Sequence, residues 1–247
     1  MQTTRMVSVI ILIMAAIYLI CRLISSKSRL TSRAYHRDKD ILIRRHIAKS
    51  LEESAPIHLD LGDSGEAVTS GGAALAAAGA ADTVSAQMAF ADEPWAITAP
   101  GGLAVNILKD AVRTGMETAD YGSSYNGDFG TFSGISSFEH FAGSTAALEK
   151  EPSALHLSIG SFGAAAALSD PLYSKGELLG IGGTDLISQS VSALTSDALY
   201  VGEQYAEIPD ALDKTEKRSS SLFAMDIMRW VVIAAIIVFT AFGLSGL

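Results

Sequence analysis

The sequence predicts an α/β domain with a mainly parallel sheet, pseudo-duplicated into βαβα halves and flanked by an N-terminal and a C-terminal transmembrane helix. Three observations predict it: short apolar runs that end in glycine and lead into small-residue stretches, long uncharged runs near both ends of the 247 residues, and charge sorted into opposed blocks. Strands alternating with helices are the pattern of a parallel α/β sheet.

The net charge of −9 argues against a general nucleic-acid binder, because phosphate binding needs a basic face. That average conceals a split. Residues 22–49 carry nine Lys and Arg against Asp38 and Asp40, a net +7, whereas residues 50–215 carry 23 acids against five bases, a net −18. A single cysteine excludes both a disulfide framework and a cysteine-based metal cluster. A hydrophobic fraction of 49% and a mean hydropathy of +0.30 are high for a purely soluble chain, and most of the excess lies at the two ends.

Residues 1–24 are expected to form the first membrane helix. Met6 to Cys21 is uncharged, and Leu23 and Ile24 continue the run past Arg22. About 19 residues at roughly 1.5 Å each come close to the roughly 30 Å hydrocarbon core, with the arginine snorkelling to the headgroups. A cleaved signal peptide would place its charges before the run and a small-residue site after it. Here only Arg5 precedes and the bases follow, so an uncleaved helix is expected.

In the basic linker, residues 25–49, Leu30, Tyr35, Ile41, Ile43 and Ile47 sit among bases. That suits a helix on an anionic leaflet, with Arg22, Lys27 and Arg29 at the interface. An ordinary juxtamembrane flank, or a segment docked on the acidic domain, would look the same.

The acidic domain, residues 50–215, opens on Ile57-His58-Leu59-Asp60-Leu61-Gly62, which returns 98 residues later as Leu155-His156-Leu157-Ser158-Ile159-Gly160. The first copy leads to a helix at 66–89, a strand at 95–98, the turn Pro100-Gly101-Gly102 and a helix at 103–118. The second leads to a helix at 162–169, a strand at 177–181, Gly182-Gly183 and a helix at 185–194. A last strand is expected at 198–201. Strand-glycine-helix patterns recur throughout α/β proteins, so the match also has a chance explanation. The Gly- and Ala-rich helices are expected to pack closely within the domain.

Residues 121–150 read as a long loop rich in Gly, Ser and aromatics. Tyr121, Tyr125, Phe129, Phe132, Phe138 and Phe141 are six of the chain's 18 aromatic residues. Such a loop is a candidate partner contact or a cover over the domain's own core.

Residues 216–247 form a basic flank and the second membrane helix. Arg229 and Trp230 make an interfacial anchor, and Trp230 to Leu247 is uncharged and just long enough to span, at roughly 27 Å. An apolar core helix is the alternative. Lys and Arg cluster on the inner side of both runs, so both termini are expected outside a bacterial or archaeal cytoplasmic membrane and the domain in the cytoplasm.

Candidate sites are few. Glycine-ended strands that run into helices can hold phosphate on helix N-terminal amides. The loops are Gly62 to Gly65, Pro100-Gly101-Gly102, Gly160 to Gly163, and Gly180 to Gly183 with Gly182 and Gly183. None is a dinucleotide or P-loop fingerprint and none contains Lys or Arg, so no cofactor is expected. His58 and His156 hold matching strand positions, and alternation puts His58 and Asp60 on one face. Convergence would allow a metal site or acid–base work; a structural hydrogen-bonded pair is the simpler role. The sequence shows no nucleophile elbow, H-E-x-x-H or EF-hand loop.

The I-H-L-x-L-G strand, S-I-G-S-F-G at 158–163, G-E-Q-Y-A at 202–206 and D-I-M-R-W at 226–230 together resemble an uncharacterised family of membrane-anchored bacterial and archaeal proteins with a domain of unknown function. The resemblance covers 55–247 and implies the architecture, with no activity or catalytic residue attached. The expected function is therefore non-catalytic: an assembly or scaffold subunit of a homo-oligomer or larger membrane complex, partnered with the bilayer and not with nucleic acid. A small-molecule sensor or enzyme domain using the glycine-ended strand tips is the alternative. A transporter is disfavoured, since two helices without internal charges offer no polar path.

Overall fold

β1 (Ile57–Leu61) and β4 (Leu155–Ile159), the two copies of the near-repeat, lie side by side in the sheet and pair in parallel, Ile57 with Leu155 and His58 with His156. The computed structural model describes residues 37–62, 72–91, 95–150, 153–169, 185–212, 227–233 and 236. β2 (Trp95–Ala99) flanks β1 on its other side, and β3 (Gly130–Phe132) pairs outside β2. All four strands are parallel, in the order β3-β2-β1-β4. The α/β class and parallel sheet are as the sequence predicts.

The helices follow from the connections. α1 (Arg37–Glu53) precedes β1, α2 (Gly72–Gln87) joins β1 to β2, and α3 (Gly102–Thr118) joins β2 to β3. α4 (Ser137–Lys150) carries the chain from β3 across to β4. Beyond a 3-10 segment, Gly163–Ser169, come α5 (Leu186–Thr195), a second 3-10 segment, Gly202–Glu207, and the short α6 (Ile208–Leu212).

One face of the sheet is apolar throughout. Ile57, Leu59, Leu61, Ile97, Leu155, Leu157 and Ile159 pack on the buried alanines of α2 and on Leu108 and Val112 of α3. The small residues serve packing inside the domain. A Cβ at Gly115 of α3 would lie 2.2 Å from the Asp82 carbonyl oxygen of α2, so the two backbones meet there.

On the expected duplication, the described residues show only that the first connections differ, a 16-residue α-helix after β1 and a seven-residue 3-10 segment after β4, while the second half's strand at 177–181 lies outside them. Three expectations are corrected. Residues 198–201 are not a strand, because Tyr200 turns into the core beneath the Lys39 ammonium, 5.2 Å from its ring centroid. The stretch 121–150 is not a loop. It contains a 3-10 turn at Gly122–Ser124, then β3 and α4, and α4 opens on a reciprocal cap between Ser136 and Glu139. The linker does not end at residue 49: α1 runs through that boundary, buries Ile43 and Ile47 in the core, and ties Arg44 Nε to the Ala211 carbonyl at 2.9 Å.

The chain divides into two compact units, His36–Asp213 and the terminal segments Met1–Tyr35 with Lys214–Leu247. In the latter, 227–233 is helical, and Arg229 and Trp230 are exposed. Among the described residues no helix is long and apolar enough to cross a membrane. The expected spans at 6–24 and 230–247 lie wholly or mostly outside them, as do Arg22, Lys27, Arg29, Gly65, Gly182, Gly183 and residues 177–181.

Candidate functional site

The second face of the sheet is polar. Side chains alternate along a strand, so the apolar 57-59-61 set of β1 leaves His58 and Asp60 on the reverse. The parallel register sets His58 beside His156, and Asp60 between Thr98 of β2 and Ser158 of β4. α4 lies over this face and adds His140 and Ser144, one turn apart. His58, Asp60, Thr98, His140, Ser144, His156 and Ser158 are all buried.

These groups form one hydrogen-bonded chain. The Thr98 hydroxyl donates to Asp60 Oδ1 at 2.7 Å. It then accepts from His58 Nε2, 3.0 Å away, and lies 3.2 Å from the Ser144 hydroxyl. With its proton on Nε2, His58 accepts at Nδ1 from His156 Nδ1, at 2.6 Å. His156 Nε2 in turn accepts from the Ser158 hydroxyl, also at 2.6 Å. This assignment keeps both imidazoles neutral. Burial lowers both pKa values, that of His58 to about 3, where the neighbouring His156 pushes in the same direction.

Asp60 links this chain to a second branch. Burial pushes its carboxyl up, but the charge and hydrogen bond of His140 outweigh that and hold it at about 2. His140 Nε2 lies 2.9 Å from Asp60 Oδ1. On its other side His140 Nδ1 is hydrogen-bonded to the hydroxyl of Ser133, directly after β3. Ser133 is half-buried and its amide donates to the Ala99 carbonyl, so it sits at the C-terminal edge of the sheet. Asp60 Oδ2 is buried without a hydrogen-bond partner among the described residues, a costly state for a carboxylate oxygen.

The residues singled out from the sequence are placed as follows. His58 and His156 do converge, but each Nδ1 is occupied by the other and each Nε2 by a hydroxyl. Among the described residues no group of three or more His, Cys, Asp or Glu is arranged to hold a metal ion. Gly62 and Gly160 serve packing: a Cβ on Gly160, at φ +137°, would lie 2.8–3.0 Å from the Gly62 backbone, and the Phe162 ring closes over Gly62. That ring is buried between His140 and Phe141. Asp185 ties this tip to α5, accepting from the Ser161 hydroxyl and the Ser188 amide. Burial pushes Asp185 up, and those donors hold it at about 2. An acidic side chain so placed disfavours an anion at Gly160 to Gly163. Gly101, Gly102 and Gly163 have open space around them.

The six aromatic residues divide. Tyr121, Phe132 and Phe138 are exposed, Tyr125 and Phe129 pack on the main core, and Phe141 is buried against Phe162. Sequence reasoning missed Ser133, His140, Thr98 and Ser144. The available signals were Ser133-Gly134 before the Ser136-x-x-Glu139 cap and a histidine one residue later.

No family model, curated protein or solved structure matches this chain, so what can be said of its function rests on the residues and geometry of this site.

Proposed function

We propose that the unit His36–Asp213 is an acid–base catalytic domain acting at the C-terminal edge of its sheet, held at a bacterial or archaeal cytoplasmic membrane by the apolar segments at 6–24 and 230–247. One observation carries this reading: buried, ionised Asp60 holds His140, and His140 holds the half-buried Ser133. Carboxylate, imidazole and hydroxyl in series fix the tautomer of the imidazole and stabilise the imidazolium that forms when it takes a proton. Open parallel sheets bind their ligands outside the C-terminal ends of the strands. A polar chain that only filled space would be poorly favoured, since well-packed apolar residues usually serve stability as well or better.

A thermal-shift screen of small metabolites tests the reading, run on the full chain in mild detergent with wild type and His140→Gln. The expected outcome is a compound that stabilises the wild type by about 2.7 kcal/mol at 100 times its Kd and leaves the variant unmoved. No stabiliser, or equal stabilisation of both proteins, rejects it.

The exposed Tyr121, Phe132 and Phe138 favour a second reading, an assembly subunit of a homo-oligomer or larger membrane complex. Its test is native mass in mild detergent, and a clean monomer without a co-purifying partner rejects it. The resemblance noted from the sequence fits either reading, since it implies the architecture alone.

A further inference from the structure

We infer that Ser133 is a nucleophile for acyl transfer and that its substrate is an ester with an apolar acyl chain. This rests on the acid–base reading of the same site and names its substrate class.

Three features single out Ser133. It is the member of the chain that reaches the surface, and it stands at a strand-to-helix turn, between β3 and α4. Its hydroxyl is hydrogen-bonded to His140 Nδ1 and also lies 3.4 Å from the Ala99 carbonyl oxygen. The far nitrogen of His140 lies 2.9 Å from a carboxylate held below its ordinary range, and in its neutral form the imidazole takes the hydroxyl proton at Nδ1. Either ring nitrogen of an imidazole can serve as base when the other is held, so reaching the serine through Nδ1 is chemically equivalent to reaching it through Nε2. The residue after it, Gly134, has φ +146°, and a Cβ there would lie 2.6 Å from Glu139 and from the His140 amide. Glycine at this position lets the turn fold tightly onto the start of α4, which fixes the spacing between Ser133 and His140.

The surroundings name the substrate. Phe132 is 52% exposed, Ile135 80% and Phe138 59%, so three large exposed apolar side chains stand at positions −1, +2 and +5 in sequence from Ser133. Covering apolar surface is favourable by roughly 25 cal/mol per Å². A long acyl chain could draw on that surface, whereas an acetyl group could not.

The chemistry balances without an added co-reactant other than water. Ser133 Oγ bonds to the ester carbonyl carbon as its proton passes to His140 Nδ1. The carbon–alkoxide bond breaks, and the same proton leaves with the alcohol. Water then attacks the acyl-serine, again giving its proton to His140, which returns it to Ser133 as the carboxylic acid departs. α4 begins four residues beyond Ser133, and the first amides of a helix lack intrahelical acceptors. The Ser136–Glu139 cap takes up the amides of Ser136 and Glu139, so the oxyanion is assigned to those of Ser137 and Phe138.

The experiment uses the full chain in mild detergent. A fluorophosphonate probe is expected to form a covalent adduct that peptide mass mapping places on Ser133. The adduct should vanish in Ser133→Ala, slow at least 100-fold in His140→Gln, and persist in Ser190→Ala. With p-nitrophenyl esters, kcat/KM should rise at least tenfold from acetate to decanoate in the wild type and lose that rise in Ile135→Ser/Phe138→Ser. Ser133→Cys guards against substitution damage: its thiol should react with iodoacetamide with a midpoint below the ordinary value of about 8.5, and an ordinary midpoint counts against the inference. An adduct absent from the wild type, or surviving Ser133→Ala, overturns the nucleophile. A flat chain-length profile overturns the acyl chain and leaves the apolar residues to a protein partner. If the probe fails while a metabolite still stabilises the wild type but not His140→Gln, the acid–base reading stands without this inference.

Discussion

His58 and His156 are folded in their neutral form, and this couples stability to pH. Both pKa values lie below 6.5 in the folded domain, with His58 at about 3, while the unfolded chain titrates near 6.5. Between those values the unfolded state binds more protons, so stability falls as pH falls. Asp60 works in the same direction but lower down: its stabilising ionisation, about 2 kcal/mol for a fall from 3.8 to about 2, is complete above its unfolded pKa and lost as pH drops through the folded one. The interval from 6.5 to 4 therefore belongs to the histidines. Melting temperature is expected to decline across it in the wild type and to stay nearly level in His58→Leu/His156→Leu, whatever that variant's absolute stability. Equal slopes would mean that the pair is not held neutral. The glycines give a second contrast at this scale. Gly160→Ala puts a Cβ against Gly62 at a φ that side chains avoid, and should cost about 1–3 kcal/mol. Gly102→Ala, at the first position of α3 with open space around it, should be neutral or stabilise by up to about 1 kcal/mol. Urea melts of the two variants check both values.

α1 is the element whose reading changed most, and it has a direct test. Its isoleucines among basic residues suit an anionic leaflet and a protein core equally well, because both reward one apolar stripe and tolerate charge elsewhere. The structure places Ile43 and Ile47 in the core with β1 and β4. Ile47→Ala should then destabilise the domain by about 2–5 kcal/mol while leaving binding to anionic vesicles unchanged; the opposite pattern would return α1 to the membrane surface. The same reasoning explains which elements were legible. β1 and β4 announce themselves by alternation and a terminal glycine, and α3 by its apolar spacing. β3 does not, since three residues at a sheet edge are too few to show a period, and missing it made α4 part of a loop. The site divides in the same way. His58, Asp60 and His156 stand out on two similar strands, but Thr98, Ser133, His140 and Ser144 join them only through strand register and the crossover of α4. No local pattern carries that information.

At the scale of the whole molecule, charge and hydropathy bear on where the domain works. Part of the +7 block has an internal use, since Arg44 caps the Ala211 carbonyl and Lys39 bonds the Leu199 carbonyl. The bases Arg22, Lys27, Arg29 and Arg33 beside the first apolar run, and Lys214, Lys217, Arg218 and Arg229 beside the second, are the ones the positive-inside rule counts. Each group lies between its run and the domain in sequence, so the positive-inside rule gives one topology for the proposed anchoring: termini outside, domain in the cytoplasm. A periplasmic-active reporter fused after Leu247 should therefore be active, and protease added to right-side-out vesicles should spare His36–Asp213. Replacing Lys214, Lys217 and Arg218 by Gln weakens the asymmetry at the second run alone. That variant should lose part of the reporter signal while the domain stays protected, because the first run still fixes its side. Digestion of the domain in the wild-type vesicles would reverse the topology and remove the cytoplasmic setting proposed for the Ser133 site.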